Sequence, residues 1–191
     1  MSKKILDNIF RMTRPELIGL AKNRFLPTNI QLAIARHHYA RAHSYLAENA
    51  GLDKTVRDYL WSDECNRGYS LKTTLLMHGH YASEPEKYWE FYDRYQNSWY
   101  RSYWRFSSAF FGCGWWHPTG QSHTPADLLN RIYDDKYCPK RASREKSYNQ
   151  RYELERLAKH KNIDLSLAIK LSQSGIDSVQ KLGFDKIVEL S

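Results

Sequence analysis

This 191-residue chain has few cysteines, no long apolar run and none of the short signatures of common catalytic sites. Cys65, Cys113 and Cys138 are odd in number and widely spaced, which argues against a disulfide framework and fits a reducing compartment. No apolar stretch approaches the roughly 18 residues that a membrane-spanning helix requires. The segment from Met1 to Asp7 has two lysines but neither an uninterrupted apolar core nor a small-residue cleavage site. No secretory signal is read there, and a cytoplasmic location is expected. Also missing are a Gly-x-Ser-x-Gly elbow, a Walker-type phosphate loop, His-Glu-x-x-His and Gly-x-Gly-x-x-Gly. The neighbouring carboxylates Asp63/Glu64 and Asp134/Asp135 point apart on a helix. The reading leans away from an enzyme and includes no cofactor.

What the chain has in abundance is aromatic surface. Of the 29 residues from Tyr88 to Trp116, 14 are Phe, Trp or Tyr. Tyr88, Tyr92, Tyr95, Trp99, Tyr103, Phe106 and Phe110 recur at steps of three and four, one face of a helix. Trp89, Tyr100, Trp104 and Phe111 flank that row, and Arg101 and Arg105 fall on the narrow polar side. Ser83, Pro85 and Glu86 form a capping-box start, and Gly112 is a natural stop, so one long aromatic helix is expected there.

The remaining stretches also read as helices. Thr13-Arg14-Pro15-Glu16 is a capping box for a helix ending near Asn23, and Thr28-Asn29-Ile30-Gln31 is a second, opening a helix expected to reach Ala40 or Arg41. Asp53 caps a helix carrying Val56, Tyr59 and Leu60, and Thr124-Pro125-Ala126-Asp127 caps one carrying Leu128, Leu129, Ile132 and Tyr133. Three short helices are expected near Glu153, Leu165 and Ser178. The fold class is all-α, a compact multi-helix domain with repeat-like helical hairpins. The main domain is expected over 1–133, a basic linker over 134–150 and a small C-terminal three-helix module over 151–191.

One pattern recurs. Leu20, Ala21, Asn23, Leu26, Ile30 and Ile34 are matched 26 residues later by Leu46, Ala47, Asn49, Leu52, Val56 and Leu60. A third set is Leu157, Ala158, His160, Ile163, Leu167 and Leu171, with a weaker echo at Leu75, His78 and Tyr81. This resembles the helix–loop–helix units of the HEAT and leucine-rich-variant repeat families, over about a third of the chain. The resemblance implies helix pairs that hide their apolar faces only by stacking on one another. Some helical-repeat proteins of similar organisation are nucleic-acid repair enzymes. The stretch Leu171 to Leu182, with Gly175, resembles one hairpin of a helix-hairpin-helix module but lacks the second glycine of its usual Gly-x-Gly turn. The long aromatic helix has no counterpart in the repeat families.

Lys and Arg number 29 against 21 Asp and Glu, a net charge of +8, which permits a polyanionic partner. Nine basic residues against three acids fall between Lys136 and Lys161, among them Lys140, Arg141, Arg144, Lys146 and Arg151. They are the candidate nucleic-acid contacts. Trp115, Trp116 and His117, in a Gly/Pro-rich loop, are the candidate anchors for a protein partner, with Arg101 and Arg105 beside them. A macromolecular partner is expected, with protein ranked above nucleic acid, as in an accessory factor of a phage or mobile element. Nucleic-acid binding, or an enzyme acting on nucleic acid at the aromatic region, are the alternatives. Cys113, His117, His123 and Cys138 are donors zinc would accept, but their spacing matches no zinc motif, so no metal site is assigned. His37, His38 and His43 are read as structural.

Overall fold

A computed structural model describes residues 5–6, 8–65, 68–95, 123–137 and 148–191. Among these the regular structure is helical, with no strand: α1 (Arg14–Ala21), α2 (Thr28–Arg36), α3 (Ala40–Ala47), α4 (Lys54–Trp61), α5 (Gly68–Met77), α6 (Pro85–Tyr95), α7 (Ala126–Lys136), α8 (Tyr148–Ala158), α9 (Leu165–Ser172) and α10 (Asp177–Leu190), with short 3-10 turns at Ile9–Arg11 and Asp63–Cys65. The all-α class expected from the sequence is what the chain adopts. No helix among the described residues is long and apolar enough to cross a membrane. Of the aromatic helix expected from Ser83 to Gly112, the part from Pro85 to Tyr95 is present as α6, Ser83 and Glu84 precede it outside the helix, and its residues from 96 on lie outside the described residues. Tyr88 and Tyr92, on the expected apolar row, are buried, as is Phe91, which that row omits.

The chain divides into two compact units, 1–80 and 81–191. Helix α7 runs on to Lys136 and packs on α9. Asn130 Nδ2 donates to the Asp164 carboxylate (2.9 Å) and the Tyr133 hydroxyl to the Lys170 carbonyl (3.1 Å).

In the first unit α1 packs on α3 and α3 on α5, while α2 packs on α4, giving two layers. Small buried residues, Ala21, Ala42 and Ala47, let the helices approach, and Leu17, Ile30, Ile34, Leu46, Val56 and Leu60 fill the space between layers. The capping box at α1 forms as expected, with Glu16 accepting from the Thr13 N–H at 2.8 Å and hydroxyl at 2.7 Å. The one expected at Thr28–Gln31 does not form. Pro27 caps α2, and Gln31, buried, instead donates to the Leu26 and Gly51 carbonyls, both at 2.9 Å, and accepts from the Asp53 N–H. A side chain pulled inward to satisfy buried backbone is unavailable to its own helix start.

The matched positions end their helices alike. The N–H groups of Asn23, Asn49 and His160 donate to the carbonyls of Leu20, Leu46 and Leu157 at 3.0–3.1 Å. Each of these side chains then accepts from the N–H two residues on, at Phe25 (3.0 Å), Gly51 (2.9 Å) and Asn162 (3.1 Å). This local bond turns the chain toward the next helix. Successive turns also interlock. Asn49 Nδ2 donates to the carbonyls of Ala21 and Asn23 at 2.9 Å, and His80 Nε2 donates to that of Ala47 at 2.8 Å. Arg57 Nη1 donates to the His80 carbonyl at 2.7 Å, as Gln31 does to Gly51. Gly51 is pressed against the preceding turn, where a Cβ would sit 2.1 Å from the Arg24 carbonyl oxygen.

The second unit uses the same devices. Asp164 caps α9 by accepting from the Leu167 N–H at 2.8 Å, and Gly175 turns the chain with a φ of 71°. Helix α8 begins at Tyr148, earlier than the start expected near Glu153. Helix α10 crosses α9 at Gly183, whose missing side chain admits Ser172 N at 2.5 Å from the place of a Cβ. Glu153 is buried, and its carboxylate accepts a short hydrogen bond from the Tyr137 hydroxyl. A buried carboxylate needs such a donor.

Candidate functional site

Of the residues singled out by sequence, Trp115, Trp116, His117, Arg101, Arg105, Lys140, Arg141, Arg144 and Lys146 lie outside the described residues. Arg151 is exposed on α8 and pairs with Glu155 (3.0 Å), which also accepts from the Ser178 hydroxyl at 2.5 Å. Of the possible zinc donors, His123 is described. Its Nδ1 lies 3.2 Å from Lys161 Nζ, and burial together with that lysine's charge holds its pKa below the usual range. No group of three or more His, Cys, Asp or Glu among the described residues is arranged to hold a metal ion.

A different cluster stands out, at the turn between α2 and α3. The sequence suggested a continuous helix to Ala40 or Arg41, but α2 ends at Arg36 and His37 turns extended (φ −71°, ψ 148°). The reason is local. His37 Nδ1 accepts the Tyr39 N–H at 3.1 Å, and His43 Nε2 donates to the His37 carbonyl at 2.7 Å. Two side chains thereby take over backbone groups that a continuing helix would have used. The His37 ring is buried, and Nε2, which carries its hydrogen, meets no acceptor among the described residues. Burial first, and then the neighbouring His38, lower its pKa, so the ring is neutral at pH 7.

Around this turn lie rings and cations. Phe10, 62% exposed, stacks on His37 with centroids 5.6 Å apart and planes 22° apart. The exposed His38 stacks on the same ring at 4.2 Å and 28°. The Arg14 guanidinium sits 5.5 Å from the Tyr39 ring centroid and that of Arg36 sits 5.8 Å from Tyr59. Arg11, Arg14, Arg36 and Arg41 are exposed, and none has a carboxylate partner among the described residues. The nearby acid Glu16 on α1 is held by Thr13. Local excess positive charge over ring faces is therefore available to a ligand. Sequence reasoning missed this cluster because its parts are short and non-periodic. The signal was present in the ten basic residues against five acids over 1–60, and in Arg36-His37-His38-Tyr39.

The interlocking turns make the first unit sensitive to pH. His80 is held below its ordinary value of 6.5, chiefly by burial and further by the Arg57 charge, against the opposing effect of its bond to Ala47. A histidine with a depressed folded pKa binds fewer protons folded than unfolded. Its stability contribution is complete above pH 6.5 and is lost as pH falls below that value toward the folded pKa, and His37 acts in the same sense. The urea midpoint is expected to drop between about pH 7.5 and pH 5, with a smaller drop in His80→Gln. Parallel pH profiles for the two proteins would remove His80 as a source of the effect.

Comparison of the chain with protein-family models, curated proteins and solved structures finds no match.

Proposed function

We propose that the protein is a non-enzymatic binding protein, built from stacked helical hairpins similar to HEAT and leucine-rich-variant repeats, whose ligand is an anionic macromolecule. The observation that carries this reading is that the exposed Arg11, Arg14, Arg36 and Arg41 have no carboxylate partner among the described residues, with Arg14 and Arg36 over the Tyr39 and Tyr59 rings and the Phe10–His37–His38 stack close by in the chain. Unpaired exposed cations are cheap to keep solvated, but four within the span from Arg11 to Arg41, two of them laid over aromatic rings, form a concentrated positive field. The recurrent turns support the repeat reading, because Asn23, Asn49 and His160 end their helices alike, and Asn49 and His80 each bond back to the preceding helix end, at Ala21 and Asn23 and at Ala47. A frame braced in this way holds surface side chains at fixed spacing, which lowers the ordering cost of binding. The ranking of partners shifts accordingly. The case for a protein partner rested on Trp115 and Trp116, whereas the described surface favours a polyanion.

The test is binding of the purified chain to heparin and to labelled single- and double-stranded nucleic acids across a salt series. Neutralising four phosphates predicts a log–log salt slope of about −3 on a single strand. Absence of binding to all of them at low salt would overturn the reading.

A further inference from the structure

We infer that the surface between α2 and α3 is a binding platform for single-stranded nucleic acid, with bases stacking on Phe10 and His38 and phosphates held by Arg11, Arg14, Arg36 and Arg41. This rests on the anionic-ligand reading above and names the ligand class. The four arginines alone would suit any polyanion; the rings discriminate. Phe10 leaves 62% of its surface in water, although its ring is already aligned within 22° of the His37 ring. His38 is likewise exposed while stacked on His37. The exposed rings are thus braced through a buried one, whose turn is fixed by hydrogen bonds from Tyr39 and His43. Pre-ordered flat apolar surfaces accept another flat ring with little loss of side-chain freedom.

A sulfated polysaccharide offers charge but no aromatic face for such rings, and an acidic peptide offers one only at scattered aromatic side chains, not one for every charge. A duplex offers phosphates but keeps its base faces stacked inside. An unpaired strand offers both at once, and base–aromatic stacking beside a cationic track is how such strands are held. The order of residues fits that ligand. Arg11 follows Phe10 directly, and Arg36 and Arg41 bracket the His37–His38 pair in the chain.

The experiment is fluorescence anisotropy of the full chain with labelled oligothymidylate of about 12 nucleotides, against an abasic oligonucleotide of equal length and a duplex. The expected result is that oligothymidylate binds about tenfold or more tighter than the abasic strand, and tighter than the duplex. Phe10→Ala should weaken oligothymidylate about tenfold with little change on the abasic strand, and Phe10→Trp should restore it. His38→Ala, at an exposed position, gives an independent second variant, with circular dichroism to verify folding. Arg36→Gln should weaken both oligonucleotides equally and reduce the salt slope by about one. Equal binding of oligothymidylate and abasic strand, equal weakening of both by Phe10→Ala, or a preference for duplex would overturn the inference. Binding of heparin without either oligonucleotide would overturn it while leaving the anionic-ligand reading standing. No binding of any polyanion would remove both.

Discussion

Replacing Gly51 by alanine is expected to lower the stability of the chain by about 3 kcal/mol, the upper part of the range for overpacking a filled site. The added Cβ would lie 2.1 Å from the Arg24 carbonyl oxygen and 3.0 Å from its carbon, both backbone atoms that cannot rotate away. Relief requires the turn over 49–53 to move off the turn over 22–27. That movement strains the bonds that join the turn to its neighbours, from Gln31 to the Gly51 carbonyl and from Asn49 to the carbonyls of Ala21 and Asn23. The same substitution at Gly19, where nothing lies within 4 Å of the added Cβ, should be neutral or slightly stabilising through helix propensity. Urea denaturation followed by circular dichroism checks the pair. Similar midpoints for both variants would show that the two turns are not pressed together.

Asn49→Leu has an expected cost of about 3 kcal/mol, since it strips partners from several backbone groups at once. Asn49 is 5% exposed, donates to the carbonyls of Ala21 and Asn23, and accepts from Gly51. Leucine keeps the same branched side-chain skeleton and leaves no cavity, so the loss reports the missing hydrogen bonds together with any overpacking by its greater bulk. Asn23→Leu is the control, because Asn23 occupies the matched position but is exposed, and its side chain accepts only from Phe25 among the described residues. Its expected cost is under about 1 kcal/mol, that of a single exposed hydrogen bond. Hydrogen exchange should place the loss in Asn49→Leu at the ends of α1 and α3. Equal destabilisation by the two substitutions would mean that the turn is important for its local bend and not for holding neighbouring hairpins together.

Several cap residues were legible in the sequence where they act on their own helix, although the cap expected at Thr124 was not, since Pro125 stands at the N-cap of α7 with no side-chain cap bond. Thr13–Glu16, Asp53 and Asp164 all cap as their sequence context implied, because such bonds span two or three residues. Gln31 was misread for the opposite reason: its partners Gly51 and Asp53 lie about twenty residues away, and nothing local announces them. The end of α2 at Arg36 was missed because apolar spacing through His37 continued a helical period while the His37 imidazole captured the Tyr39 N–H. The candidate site suffered most. Its rings and arginines come from the 3-10 turn at Ile9–Arg11, from α1, from the end of α2, from the turn over 37–39, from the start of α3 and from α4, six places no motif links.

The sequence by itself determined that the described chain is helical, where several helices begin, and that one apolar pattern returns after 26 residues. These follow from periodicity and from hydrogen bonds between near neighbours, which a linear text preserves. The tertiary structure alone decided that the units divide after His80, that Asn49 and Gln31 brace neighbouring turns, that Phe10, His37 and His38 stack, and that Arg14 and Arg36 lie over the Tyr39 and Tyr59 rings. Those depend on which distant groups close packing brings within hydrogen-bonding or stacking distance, and the free energy of such contacts is not encoded at any single position.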